Sequence, residues 1–489
     1  MKYVAISHIE WRMNSMRKAF FVSGLLVAIM LAFLAGLTVN MRRPQPVDDQ
    51  AFNEVFNHIM NYHYTNPEEE TLWRGAIDGM IRALGDDFSH YYDAAEARQY
   101  EEAQGESFVG IGVTVQNVDE QVVINSIFPE SPAERAGVMV GDIIRFVDGV
   151  DYLNRSYIET VFSVRGEEGS TVEIGIERPG VPDIINLIIV RERIENPSVT
   201  YRVIGSGGYQ FGYIKINMFG NETADNFKAA IDDLESQNIQ GLIVDVRDNG
   251  GGDLFSVVNI MNYLLPIRNN LFSIEFFAQG TSQTQYYHSA DDHEKDYPVT
   301  VLINQHSASA AEVFASVMYE VAEYPLIGQT TFGKGTVQTR IPMTNVPGDY
   351  LHITRGVWRT TNGNWVHFDG GTNGYEPQIK VEQNPAFLIP PLFIRAGESF
   401  AFNDVHPQIE NAQKMLNALG YTVRTDGYFD SNMQDILEQF QLLNNLESTA
   451  TLNPETAQFL NESMLAYRQD ASNDLQLSEA LDYLISQND

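Results

Sequence analysis

At 489 residues the chain is too long for one compact core and is expected to divide into roughly three domains of about 150 residues each. Acidic residues outnumber basic ones 65 to 31 and no compensating basic patch stands out, which excludes nucleic acid as a partner. There is no cysteine, so disulfides, thiol nucleophiles and thiolate metal sites are excluded together, while 44% hydrophobic and 20% charged residues exclude wholesale disorder.

Taken in chain order, the first predicted element is a membrane helix. No residue between Lys18 and Arg42 is charged, and the mostly apolar run 19–39 is long enough as a helix to cross about 30 Å of hydrocarbon. Lys2, Arg12, Arg17 and Lys18 precede it, so the positive-inside bias assigns residues 1–18 to the cytoplasm and everything after Asn40 to the extracytoplasmic side. A cleaved signal peptide is the competing reading; the run exceeds the usual apolar region of such a peptide, and no A-x-A pattern ends it.

Residues 40–104 are expected to form a helical arm, because Phe52, Val55, Phe56 and Ile59, and then Leu72, Ala76, Met80, Ala83 and Leu84, recur at helical spacing. From 105 to 193 the pattern changes to short β-rich runs broken by Gly, Pro and Asp, with one helix cue at PAERAG. Residues 194–400 alternate strand and helix (FGYIKINMF, TADNFKAAIDDLESQ, GLIVDV, VTVLIN, AAEVFASVMYEV), the pattern of an α/β domain. Residues 405–467 read as a small set of helices, one of them capped by Asn453 with Pro454 in its first turn. The segment 468–489 ends in one more amphipathic helix.

Several constellations in this frame could carry chemistry. Ser309 stands where the apolar strand VTVLIN runs through a short turn into a helix, which exposes a hydroxyl beside unpaired N–H groups and suits a nucleophile; simple helix capping by Ser307 and Ser309 is the alternative. Lys334 lies between Gly333 and Gly335. Desolvated in a cleft it would take a proton from serine, whereas in an exposed turn it would do nothing. Gly328 to Lys334 also fits the first seven positions of a phosphate loop, but the eighth is Gly335 rather than Ser or Thr and the chain then continues as a strand. The run Asp248-Asn249-Gly250-Gly251-Gly252-Asp253 after the buried strand LIVDV allows backbone amides to approach a ligand closely. Gly110, Ile111, Gly112 and Val113 offer consecutive amides to a terminal carboxylate, followed by a strand that can pair with a peptide. The ten histidines show no metal-ligand spacing; His288, His293 and His367 are expected at the surface, and His306 and His352 remain candidates for a Ser-His-Asp triad.

Together these segments resemble the C-terminal processing peptidases, or tail-specific proteases. LWRGAIDGMIRALGDDFSHYYD is similar to the stretch ahead of that family's PDZ domain, while GIGVTV, SPAERAGVMVGDIIRFVDG and VRGEEGSTVEI are similar to the PDZ domain itself. DVRDNGGG, SASAAE and GKGTVQ are similar to the three catalytic-domain motifs, although the family often has Pro where this chain has Gly250. The resemblance implies that Ser309 is the nucleophile, Lys334 the general base and Gln338 the residue that orients it, at spacings of 25 and four. It further implies an oxyanion hole from Gly251 or Gly252 with Ala310, and a PDZ residue, Arg165, that couples peptide binding to the active site. No metal or cofactor is implied.

Residues 405–467 resemble the peptidoglycan-binding module that some of these proteases append, and the last helix resembles a terminus that in relatives makes a dimer contact. The expected protein is thus multidomain, with an N-terminal transmembrane helix, a helical arm, a β-rich PDZ domain at 105–193, an α/β serine protease domain at 194–400 and a small all-α module. Its expected partners are protein or peptide substrates with free C-termini, peptidoglycan, the membrane through residues 19–39, and a second copy as a homodimer. A catalytically inactive scaffold that binds peptides and cell wall is the rival reading, and retention of serine, lysine and glutamine at matching spacing speaks against it.

Overall fold

A computed structural model describes residues 49–489 except 104, 119–120, 129, 153–156, 179–180, 182, 269, 291–292 and 395–396. The expected cytoplasmic segment and membrane helix lie outside the described residues, among which no helix is long and apolar enough to cross a membrane. The chain divides into two compact units, Met1–Asp87 and Phe88–Asp489. In the first, the expected arm consists of helices Asp49–Tyr62 and Glu69–Arg82, with Trp73 packed against Phe52 and Phe56 at ring distances of 5.7 and 4.6 Å. The helical reading of the arm fails at His90–Tyr92. These three residues form a strand, because they pair in antiparallel register with Tyr350, Leu351 and His352 of the strand Tyr350–Arg359.

The β-rich domain opens with Ser107–Gly110 paired to Glu192–Glu195. Its main sheet runs from Val113–Val118 through Gln121–Ile127, Ile143–Val147 and Thr171–Glu177 to Ile185–Val190. Val113–Val118 is the edge strand of that sheet. PAERAG supplies the helix Pro132–Arg135, capped by Ser131, and Tyr157–Val164 forms the second helix of this domain.

The α/β domain is built on six strands whose spatial order is their chain order: β1 (Val199–Ser206), β2 (Tyr209–Ile216), β3 (Leu242–Asp245), β4 (Val299–Ile303), β5 (Leu326–Gly328) and β6 (Ile379–Lys380). Only β1 and β2 are antiparallel. Helices α1 (Thr223–Ser236), α2 (Leu254–Met261) and α3 (Ala310–Ala322) pack on one face against Leu242, Val244, Val301 and Ile303. The intervening Ile243 and Leu302 point to the other face, which α4 (Leu475–Asn488) covers with Leu477, Ala480 and Leu484. Burial on both faces is why these strands read as unbroken apolar runs rather than alternating ones.

A second sheet joins Phe272–Ala278, Thr281–Tyr287, Thr336–Pro342 and Tyr350–Arg359 with the short strand His90–Tyr92. The helical module comprises Pro407–Ala418, Ser431–Leu443 and Pro454–Gln469, the last capped by Asn453 with Pro454 in its first turn, as the sequence indicates. Its core of Ile409, Phe429, Leu437 and Leu460 also takes in Ala386, Ile389, Leu392 and Ile394, so residues assigned to the protease by pattern belong here by packing. The module is therefore an insertion. The chain leaves the α/β sheet after β6, builds the module, and returns with α4 to complete the sheet.

Candidate active site

Two sheets supply the parts of the site. From β4 the chain crosses a turn fixed by Asn304, whose Oδ1 accepts the Asp248 N–H at 3.0 Å, and by Ser307, whose hydroxyl donates to the Val246 carbonyl at 2.8 Å. The hydroxyl of Ser307 is thus committed to the neighbouring loop. Ser309 follows at the N-terminus of α3 with φ of 55° and ψ of -115°. An ordinary N-cap has extended backbone, and a non-glycine residue held in this region costs about 1–3 kcal/mol. Such strain is the mark of a nucleophile elbow rather than of plain capping.

Glu312, one turn into α3, is fully buried and holds the site together. Its Oε2 accepts the N–H of Ser309 at 2.8 Å and that of Lys334 at 2.7 Å; its Oε1 accepts the Gly333 N–H and the Thr331 hydroxyl, both at 2.6 Å. One carboxylate oxygen therefore bridges the backbones of the two residues expected to form the dyad. Burial pushes the carboxyl above its ordinary pKa, against these hydrogen bonds, which favour the anion. Sequence reasoning assigned Glu312 no role, although a glutamate three residues after a candidate cap is the signature of a capping box.

The Lys334 carbonyl accepts the Trp358 indole N–H at 2.8 Å, and the ammonium lies 4.5 Å from the centre of the Phe88 ring. Thr336–Pro342 continues as a strand, as the sequence indicates, and not as the helix a phosphate loop requires. Gln338 lies on that strand at a bulge, and its amide nitrogen donates to Thr336 at 3.1 Å and to Thr354 at 3.0 Å.

The glycine run lies against Ser309. A Cβ on Gly251, at φ of 107°, would stand 3.0 Å from that of Ser309, and one on Gly252 would stand 2.2 Å from the Phe219 carbonyl. The Gly251 N–H donates within the loop to Asn249 Oδ1 at 2.8 Å, whereas those of Gly252 and Ala310 form no hydrogen bond among the described residues. Asn249, also unassigned by sequence reasoning, is fully buried and ties the loop to Ile216 and Ala308.

Gly110, Ile111, Gly112, Val113 and Arg165 come together around one groove of about 380 Å³ between the edge strand and the helix Tyr157–Val164. Phe108, Phe128, Ile144, Val161 and Val164 make its walls apolar. The Ile111 and Gly112 N–H groups form no hydrogen bond among the described residues.

The histidines divide differently from expectation. His288 and His293 are exposed, but His367 is not a surface residue: it is 8% exposed, stacks on Trp365 at 4.7 Å and accepts the Gly335 N–H. His306 is exposed, and among the described residues its ring hydrogen-bonds the neighbouring Gln305. Burial, followed by the charges of Lys334, His90 and Arg340, holds His352 down to about 4, which makes it a poor base near neutral pH. Neither candidate hydrogen-bonds a carboxylate among the described residues, and no cluster of three or more metal-ligating side chains occurs among them.

Two outcomes follow from this geometry. Glu312→Gln would turn a donor toward amides that need an acceptor, at about 1–3 kcal/mol for each buried group left unpaired. Peptide turnover should fall at least about tenfold and thermal denaturation should occur at lower temperature; wild-type values for both would refute the bridging role. His352 binds a proton in the unfolded chain below about 6.5 but in the folded chain only near 4, so stability should fall as pH drops through that window. Denaturation of His352→Gln at pH 5 and pH 7 should show a smaller difference than the parent.

Comparison with known proteins matches residues 210–381 to peptidase family S41, 109–189 to the PDZ domain and 405–460 to the putative peptidoglycan binding domain. The carboxy-terminal processing protease CtpB of Bacillus subtilis is 34% identical over 88% of this chain and 89% of its own length. CtpA of the same organism is 32% identical over 88% and 89%. A probable CtpA-like serine protease of Staphylococcus saprophyticus is 30% identical over 88% of this chain and 86% of its own. On these matches the chain belongs to the carboxy-terminal processing peptidases, serine-type enzymes of family S41 that carry a PDZ domain.

Proposed function

We propose that this peptidase is anchored in the membrane by residues 19–39 with its catalytic part on the extracytoplasmic side, captures free C-termini of protein substrates in the PDZ groove, and cleaves them with a Ser309–Lys334 dyad. The observation that carries the reading is the single Glu312 oxygen shared by the backbones of a strained Ser309 and of Lys334. Neutral Lys334 takes the Ser309 hydroxyl proton as the oxygen attacks the scissile carbonyl, then passes that proton to the departing amine; water releases the acyl group by the same route. The amides of Gly252 and Ala310 receive the developing oxyanion, Gly251 shapes the loop that presents them, and Gln338 orients the lysine. Arg165, within the groove, links its occupancy to the site. The helical module is read as a peptidoglycan contact and the anchor as the means of holding the enzyme beside the wall; a homodimer remains part of the same reading. A Ser-His-Asp mechanism is disfavoured by the surroundings of His306 and His352.

The dyad is tested by replacement. Ser309→Ala and Lys334→Ala should each remove nearly all peptide cleavage, and the double variant should be no worse, because members of one catalytic unit are not additive. Substantial turnover by either single variant would sink the assignment. The groove is tested with two peptides identical but for a terminal carboxylate or carboxamide. Charge-assisted hydrogen bonds contribute about 1.5–3 kcal/mol each, so the amide form should bind about tenfold or more weakly; equal binding would reject C-terminal capture.

A further inference from the structure

Most of the oxyanion loop is fastened by the β-strands and turns around it. Val246 is held by Leu302 and Ser307, Asp248 by Asn304, Asn249 by Ile216 and Ala308, and Gly251 by Phe219. Arg247 differs. It is 7% exposed, and its guanidinium lies between two carboxylates. Nε meets both oxygens of Asp245 at 3.0 Å, and Nη2 reaches Asp245 at 2.6 Å and Asp474 at 2.8 Å. Nη1 donates to Asp474 at 2.9 Å and to Gln476 at 3.0 Å. Asp245 is fixed from behind by the Tyr213 hydroxyl at 2.7 Å, and Gln476 is fixed by donating to the Val381 carbonyl at 2.9 Å. Asp474 is itself the N-cap of α4.

We propose that Asp474 and Gln476 are positioning residues for the oxyanion loop, acting through Arg247. The inference rests on the reading that Ser309 is the nucleophile and that the loop presents an oxyanion donor. A guanidinium is planar and rigid, so holding both of its ends fixes its plane and with it the backbone between Asp245 and Asp248, where the glycine run begins. Asp245 belongs to the sheet, and without Asp474 the far side of the plane is held by Gln476 through Nη1 alone. The second anchor comes from beyond the helical module, at the start of α4. The protease site therefore depends on a segment that is reached only after the module has been built.

Asp474→Asn isolates this effect. Asparagine also caps helices well, and Asp245 still balances the charge of Arg247, so the fold is expected to survive while the far anchor loses its charge and one of its acceptor oxygens. In the purified full chain, kcat for a peptide substrate should fall roughly ten- to a hundredfold with KM within about twofold, since an oxyanion donor acts in the transition state. Asp474→Glu keeps the charge and should fall between the two. Hydrogen exchange at amides 248–252 should quicken in the same order while that of β4 stays slow. An unchanged kcat in a folded Asp474→Asn chain would overturn the proposal. So would faster exchange throughout the sheet, or unfolding of either variant, which would make Asp474 a structural residue only. Ser309→Ala is assayed alongside: residual turnover there would overturn the dyad reading instead, whereas an inactive Ser309→Ala with a fully active Asp474→Asn would leave the dyad standing.

Discussion

A carboxylate wholly removed from water must either find donors for its oxygens or give up its charge, and Glu312 finds four. Those donors come from two directions. Ser309 belongs to the junction between β4 and α3, whereas Thr331, Gly333 and Lys334 belong to the segment that leaves β5 for the second sheet. Two layers that also share a hydrophobic core are thereby held at one spacing beside Ser309, and its strained backbone is kept from relaxing. Hydrogen bonds to a charged group contribute about 1.5–3 kcal/mol each, enough for a few of them to offset the strain at one residue.

The same logic recurs at the foot of the glycine-bearing loop with the sign of the charge reversed. Arg247 is a buried cation, and its five N–H donors are met by Asp245, Asp474 and Gln476. Burial lowers the tendency of Asp245 to ionise, but the adjacent guanidinium more than compensates and holds its carboxyl below the ordinary range. The site thus holds an anion that gathers donors and a cation that gathers acceptors, each buried and each met by a partner close in sequence together with others far from it.

Much of this was legible before any coordinates. The apolar runs LIVDV and VTVLIN signal strands buried on both faces, Asn453 and Pro454 mark a helix start, and the spacing of Ser309, Lys334 and Gln338 points to the family. What escaped was chemistry whose partners are remote. Asp474 and Arg247 are separated by more than two hundred positions, and nothing in LQLSEALDYLI shows that the residue before it closes an ion pair. Glu312 reads locally as an ordinary capping glutamate. His367 lies in a polar, glycine-rich hairpin and gives no sign of stacking on Trp365, and the strand at His90–Tyr92 is too short for its pattern to compete with the helices around it. In each case tertiary packing, not local preference, decides.

The insertion of the helical module between β6 and α4 has a consequence for how the enzyme is made. Translation delivers Ser309, Lys334 and the glycine run long before α4, and until α4 arrives Phe211, Ile243 and Leu302, all fully buried in the finished molecule, have nothing to cover them. A growing chain therefore carries Ser309, Lys334 and the glycine run without a completed sheet beneath them. The hydrolase acquires its final core only once α4, which is made after the module, packs on the sheet.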